Sequence, residues 1–250
     1  MCFDLDGTLL QPDHMPAPDT LIALRQLRRN GGLPVIATGR NRFEVAAAIA
    51  ASGITSLIAA NGAFVQLNGR QIAERPLAPA LIEKLNAYAT AHNEPVAWYD
   101  QNSMALNKTS ADTIDNYHAL GFEAPVVPGW WTDHRVDFMF VFDRQHDREL
   151  QAAFTGELTM VRNNPRGLDV TADGVSKATG LQALIAAGNY GGVPTYTFGD
   201  AANDLPLFRA VAHPIAMANG TEEVQAAAEY VTGDYRHSGI AQGLRHYHLI

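Results

Sequence analysis

A single cysteine, Cys2, stands in 250 residues, so no internal disulfide can form and the chain has no need of an oxidising compartment. Positive charge is also scarce: 18 Lys and Arg against 26 Asp and Glu leave a net charge of -8. A surface of that sign repels a phosphate backbone, which argues against nucleic acid as a partner. The opening Met1-Cys2-Phe3-Asp4-Leu5-Asp6 has no basic segment leading into an apolar one. No export signal is read from it, and a cytoplasmic address is expected. Long uncharged runs are few. The run from Val45 to Gly69 is punctuated by Gly53 and Asn61-Gly62, which marks a buried helix followed by a strand, and no membrane segment is expected. No G-x-G-x-x-G follows the first strand, which disfavours a dinucleotide-binding dehydrogenase. The nine histidines are scattered, and even His246 and His248 lack acidic or cysteine partners nearby in sequence, so no zinc site is expected. Internal repeats and low-complexity segments are absent.

What is present is the composition of a soluble globular protein, 47% hydrophobic and 18% charged, with length for one large domain or two modest ones. Short apolar runs at Met1 to Leu5, Leu33 to Ala37, Leu57 to Ala60, Thr195 to Phe198 and Pro214 to Met217 read as buried parallel strands. Helical patterns at Pro18 to Arg29, Phe43 to Ala51, Lys177 to Ala187 and Thr221 to Glu229 fall between or after them. This rhythm predicts an α/β fold with a doubly wound parallel sheet. The middle differs. Helix-like Pro79 to Ala91 and Ser110 to Leu120 mix with strand-like Pro95 to Tyr99, Met104 to Asn107, Val136 to Phe142 and Leu158 to Arg162. Polar-apolar alternation there suggests an antiparallel sheet with one solvated face. An α+β domain over 77–166 is therefore expected to interrupt a core made of 1–76 and 167–250, entered near Arg75-Pro76 and left near Asn164-Pro165.

Chemistry concentrates at the carboxyl ends of the proposed strands, where open α/β sheets bind ligands. Strand alternation puts Asp4 and Asp6 of Phe3-Asp4-Leu5-Asp6-Gly7-Thr8 on one side, and Gly7 lets the chain turn away. A calcium loop starting at Asp4 would need its glycine at the sixth position, where this chain has none, and a glutamate in place of Met15. Ala37-Thr38-Gly39-Arg40 ends the second strand with a hydroxyl and a guanidinium, and Arg40 reads equally well as a structural arginine. Ser176 caps a helix whose first residue, Lys177, can serve an anion together with the helix N-terminus. Gly199-Asp200-Ala201-Ala202-Asn203-Asp204 offers two carboxylates and an amide, a set suited to a hard cation such as Mg²⁺, although Asp204 also suits a helix cap.

In order and spacing these motifs resemble the haloacid dehalogenase superfamily of phosphohydrolases, in its Cof-like branch with a large inserted α/β cap (class IIB). The resemblance spans nearly the whole chain: DLDGTLL at Asp4 to Leu10, ATGR at Ala37 to Arg40, AANGAFV at Ala59 to Val65, GVSKATGL at Gly174 to Leu181, GDAANDLPLF at Gly199 to Phe208, IAMANG at Ile215 to Gly220 and YVT at Tyr230 to Thr232. It implies that Asp4 is the nucleophile that becomes an aspartyl phosphate and that Asp6 is the general acid and base. It implies Mg²⁺ at Asp4, Asp6 (through its backbone carbonyl) and Asp200, with Asp204 as a further ligand or an anchor behind the site. Lys177, Thr38, Asn203 and the backbone N–H groups of Leu5 and Gly39 would bind the phosphoryl oxygens.

The implied substrates are small phosphorylated metabolites, sugar phosphates above all, with nucleotide or vitamin phosphates as alternatives. A monomer or weak homodimer is expected. Two rivals stay open: a phosphometabolite-binding regulatory protein with weak activity, and a phosphotransferase or phosphomutase. The cluster Trp130, Trp131, Asp133, His134 and Arg135 in the cap is read as packing, and Cys2 as a small buried hydrophobe. The resemblance also implies a longer strand ahead of the nucleophile than Met1-Cys2-Phe3, so either the first strand is short or the chain is truncated, and restoring upstream apolar residues is expected to be stabilising.

Overall fold

The computed structural model describes residues Met1–Ile250. The chain forms β1 (Cys2–Phe3), α1 (Pro18–Arg29), β2 (Val35–Ala37), α2 (Ala46–Ser52), β3 (Ser56–Ala59), β4 (Phe64–Leu67) and β5 (Arg70–Glu74). It continues through α3 (Pro79–Ala91), β6 (Val96–Tyr99), β7 (Met104–Leu106), α4 (Ala111–Ala119), β8 (Phe138–Val141), α5 (Asp147–Ala153), β9 (Leu158–Asn164) and β10 (Gly167–Ala172). It ends with α6 (Lys177–Gly188), β11 (Tyr196–Gly199), α7 (Leu205–Phe208), β12 (His213–Ala216), α8 (Glu222–Ala226), β13 (Tyr230–Val231) and α9 (Gly239–His246). Two compact units result, one made of Met1–Ala73 and Ser176–Ile250, the other of Glu74–Val175. No helix is long and apolar enough to cross a membrane.

The first unit holds an eight-stranded sheet in the order β13-β12-β11-β1-β2-β3-β4-β5. From β13 to β3 every pairing is parallel, and β4 turns back antiparallel on β3. Phe3 and Phe198 stack in its centre, 5.2 Å apart, inside a core shared with Leu24 and Leu27 of α1 and Leu244 of α9. Local chemistry supports the helices. Pro18 opens α1 while Arg28 and Arg29 close it, matching fixed φ and the helix dipole. In α6, Ser176 and Thr179 form a capping box, each side chain accepting the other's backbone N–H.

Central β1 has only two residues, and the Met1 ammonium beside it is buried, donating to Leu33 O at 3.0 Å. Burial pulls that ammonium's pKa down, with partial opposition from Cys2. Met1 also borders a 490 Å³ cavity lined by Leu27, Leu33, Leu181, Leu184 and Tyr196. A few apolar residues added ahead of Met1 would lengthen the strand, fill apolar space and move the charge outward. Such an extension is expected to raise the melting temperature; an unchanged melt would refute this reading.

The inserted unit is a five-stranded antiparallel sheet, β7-β6-β8-β10-β9. It corrects two expectations. Asn164-Pro165-Arg166 turns β9 into β10, so the strand after the proline pairs within this unit, which runs on to Val175. The same polar-proline cluster that marks a linker also marks a hairpin turn. The expected solvated face is also absent from β6, β7 and β8, which are buried throughout. One face carries Val96, Trp98, Met139 and Val141 in a core with α3 and α5 residues. The other carries Tyr99, Phe138, Phe140 and Phe142, and α4 supplies Tyr117, whose ring packs on Phe142 and whose hydroxyl bonds the Tyr99 hydroxyl at 2.5 Å. Trp98 donates its indole N–H to Asn86, and Trp130 and Trp131 pack half-buried against the same core.

Asp137 is wholly buried there, bonded by the Gln101 amide. Burial first, then Glu74 and Asp100, push its carboxyl up to about 8 from an ordinary 3.8. The folded chain therefore keeps a proton that the unfolded chain gives up. Stability is expected to fall by roughly 1.4 kcal/mol per pH unit as pH rises from about 4 through about 8. Unfolding free energies from denaturant titrations across that range should decline less steeply in Asp137→Asn than in the parent; an equal decline in both would refute the assignment.

Candidate active site

Four parallel strands deliver the site. Asp4 follows β1 directly, 6% exposed, with its amide on Phe198 O at 3.0 Å. The chain then winds into a tight loop in which the amides of Leu9 and Leu10 both return to Leu5 O at 2.9 Å. Gly7 allows that loop for two reasons: its φ is +73°, and a Cβ there would overlap the Asp200 carboxylate. Asp200 follows β11, Thr38 follows β2, and Asn61 and Gly62 follow β3. At Gly62, with φ +105°, a Cβ would collide with the Ser176 carbonyl, so glycine lets the β3 loop lie against the start of α6.

Lys177, the first residue of α6, has a wholly buried side chain. Its Nζ lies 2.7 Å from Asp4 Oδ1 and 2.7 Å from Asp204 Oδ1. Burial by itself would depress the ammonium's pKa, but Asp204 and Asp4 more than offset this and the net direction is upward. Asp204 is engaged at both oxygens: Oδ1 takes Lys177, and Oδ2 takes the amides of Asp200 at 3.0 Å and Ala201 at 3.2 Å. It therefore anchors Lys177 and the Asp200–Ala201 turn, while Oδ1 keeps acceptor capacity beyond its single bond to Lys177. Asp200 Oδ1 accepts from the Thr8 hydroxyl at 2.8 Å. Burial raises the Asp200 carboxyl to about 6, with the Thr8 bond opposing and Asp204 adding. The Asp4 carboxyl is raised well above its ordinary value by burial, against Lys177 and with Asp204 and Asp200.

One ammonium thus faces three carboxylates, with ligand oxygens of Asp4, Asp200 and Asp204 within 4.8 Å of one another. Such an oxygen-rich, charge-unbalanced set fits a hard divalent cation. Asp6 stands apart with its side chain 54% exposed, gripped by Arg40 through Nε to Oδ2 at 2.7 Å and through Nη2 to Oδ1. Thr38 is buried, with its hydroxyl accepting the Arg40 amide at 3.1 Å. Asn203 donates to Asn61 Oδ1 at 3.3 Å and leaves its own buried Oδ1 without a partner. The amides of Leu5 and Gly39 donate to no acceptor within the chain.

Sequence reasoning left three contributors unassigned: Arg40, which tethers Asp6; Thr8, which orients Asp200; and Asn219, which donates to Gly7 O at 2.8 Å and accepts from the Tyr235 amide. Each lies inside a recognised motif, so the signal was positional, but hydroxyl and amide side chains do not announce their partners.

Carboxylates gathered around a buried lysine at the strand ends of a doubly wound sheet suit phosphoryl chemistry, and comparison with known proteins identifies the family. The profile of haloacid dehalogenase-like hydrolases matches residues 1–244, and the chain belongs to that family, as a phosphatase of the superfamily. The Bacillus subtilis protein YkrA, described as a phosphatase, is 29% identical over 99% of this chain and 97% of its own length. The 5-amino-6-(5-phospho-D-ribitylamino)uracil phosphatase YcsE of Bacillus subtilis is 26% identical over 100% of this chain and 95% of its own. Among solved structures, the subclass IIB sugar phosphatase BT4131 superposes with a TM-score of 0.90 at 25% identity, covering 100% of this chain and 98% of its own.

Proposed function

We propose that the protein is a Mg²⁺-dependent phosphomonoester hydrolase of small phosphorylated metabolites, sugar phosphates foremost, acting through an aspartyl phosphate on Asp4. The observation that carries this reading is the buried Lys177 ammonium 2.7 Å from the Asp4 carboxylate, at the end of the central strand. A carboxylate held beside a fixed cation can approach a phosphate dianion. Asp4 and Asp200, with the Asp6 main-chain carbonyl, would hold Mg²⁺, which when bound supplies positive charge to nucleophile and phosphoryl oxygens alike. Asp204 fixes Lys177 and the Asp200 backbone in place.

In the first step an Asp4 oxygen attacks phosphorus and the P–O bond to the sugar breaks, with Asp6 protonating the departing alkoxide. In the second, Asp6 takes a proton from water, the oxygen of which attacks phosphorus and releases phosphate and free Asp4. Arg40 engages both Asp6 oxygens, so for the first step Asp6 must leave Arg40 and enter protonated, and the proton it takes from water in the second step restores the acid form. Thr38, Asn203 and the amides of Leu5 and Gly39 supply hydrogen bonds to the phosphoryl oxygens. The sugar-phosphatase relative and the ribitylamino-uracil phosphatase support small polyol and sugar phosphates over polymers as substrates.

Phosphate release from a panel of hexose and pentose phosphates, nucleotides and an aryl phosphate tests the reading. Release with Mg²⁺, suppressed by EDTA and led by the sugar phosphates, is expected. Folded protein that releases no phosphate, or that passes it only to an added sugar hydroxyl, would overturn it.

A further inference from the structure

The inserted unit gathers a second group of metal-binding side chains that shares no residue with the catalytic carboxylates. Strands β6 and β8 pair antiparallel with Val96 opposite Val141, and the Phe142 amide continues the ladder to Pro95 O at 2.9 Å. Carrying that register one pair further sets Glu94 across from Asp143. Two like charges directly opposite are destabilising unless something neutralises them.

Asp143 is wholly buried. Its Oδ1 accepts the amides of Gln145 at 2.7 Å and His146 at 2.8 Å, which turns the chain and swings the His146 ring back over the carboxylate. Its Oδ2 is buried with no hydrogen-bond partner, as is Nδ1 of His146, 3.3 Å away. Ligand atoms of Glu94, Asp143 and His146 all lie within 4.8 Å of one another. No lysine or arginine donates to the side chain of Glu94 or Asp143, and Arg162 reaches Asp143 only at its main-chain oxygen. Lys108 is held by Asn93 O at 2.7 Å and Asn93 Oδ1 at 2.6 Å, Arg162 by Asp147 at 2.7 Å, and Arg144 by Asp112 at 2.9 Å.

We propose that Glu94, Asp143 and His146 form a metal site for a borderline divalent cation of the zinc type. An imidazole nitrogen with two carboxylate oxygens suits Zn²⁺, which accepts mixed nitrogen and oxygen ligands, better than Mg²⁺, which prefers oxygen and retained water. The fourth position falls to water or to His92. The His92 ring stacks on Tyr88, has Nδ1 2.8 Å from Tyr88 O, and lies 6.1 Å from the His146 ring. Bound there, the ion neutralises the facing carboxylates and ties the end of the β6–β8 pair to the start of α5. The ligands stand at positions 94, 143 and 146, too scattered to form a sequence motif, which is why the sequence alone gave no zinc expectation.

The test is Zn²⁺ binding by the full chain, stripped with EDTA and dialysed, measured by calorimetry in excess Mg²⁺ so that the catalytic carboxylates are occupied. One Zn²⁺ per chain is expected, with a raised melting temperature. His146→Gln and Glu94→Gln should each weaken binding by more than about tenfold, the loss that follows even removal of an outer partner of a metal ligand, whereas Asp200→Asn should leave it intact. Circular dichroism establishes that the variants are folded. Folded His146→Gln that binds Zn²⁺ like the parent would overturn the proposal, as would binding that disappears only with Asp200→Asn. Absence of Zn²⁺ binding by the parent would leave a simple Asp143–His146 ion pair and also overturn it.

Discussion

Lys177→Met is expected to be both unstable and nearly inactive. The ammonium is wholly buried between Asp4 and Asp204, so its removal leaves carboxylates facing one another without a cation. Breaking a buried pair in this way costs about 3–5 kcal/mol, which urea unfolding in EDTA should register as a matching loss. Turnover should fall by at least roughly 10²–10³-fold, the contribution of one preorganised charge-stabilising group. Mg²⁺ should restore more stability to the variant than it adds to the parent, because the ion takes over part of the lost neutralisation. A variant that unfolds at the parent's urea concentration would refute this account of Lys177.

Asp4→Asn should separate the two properties. Turnover should drop by about 10⁴-fold or more, as befits a lost nucleophile, while metal-free stability at neutral pH should rise. Burial holds the Asp4 carboxyl well above its ordinary range despite Lys177. The folded state therefore takes up a proton that the unfolded chain has released, and the ionised form is the strained one. For such a group stability is greatest at low pH and is lost as pH climbs from the unfolded value through the folded one. Asp200, raised to about 6, adds a loss in the window from about 4 to about 6. Thermal melts in EDTA between pH 5 and 8 should show a smaller decline for Asp4→Asn than for the parent. An equal decline, or a lower melting temperature at pH 7, would contradict this reading. The penalty sits where the catalytic cation is expected, so the site gives up stability to keep negative charge ready for it.

The core was legible where local chemistry and tertiary role coincide. Pro18 and Arg29 bound α1 as their capping preferences require, and Ser176 caps α6 so that Lys177 is its first residue. Asp4 and Asp200 follow central strands because buried apolar runs end there. Legibility failed where one local signal serves two structures. Asn164-Pro165 reads as a linker and forms a hairpin, and the alternation of the inserted strands reads as a wet face although aromatic residues under α4 cover it. It failed again where pairing is remote. Arg40 grips Asp6 from 34 positions away, and Glu94 meets Asp143 only through the β6–β8 register.

The insertion of Glu74–Val175 between β5 and α6 also dictates a timetable. Asp4 is made well before its neighbour β11, to which β1 pairs at Cys2 and Thr197. Until then β1 lacks one of its two flanking strands and Asp4 has neither Lys177 nor Asp200. The inserted unit, by contrast, is contiguous and is synthesised whole before the sheet of the first unit can close. Vectorial synthesis therefore completes the inserted unit first and the assembly of Asp4, Lys177 and Asp200 last, with closure of the central strand as the long-range, slow event.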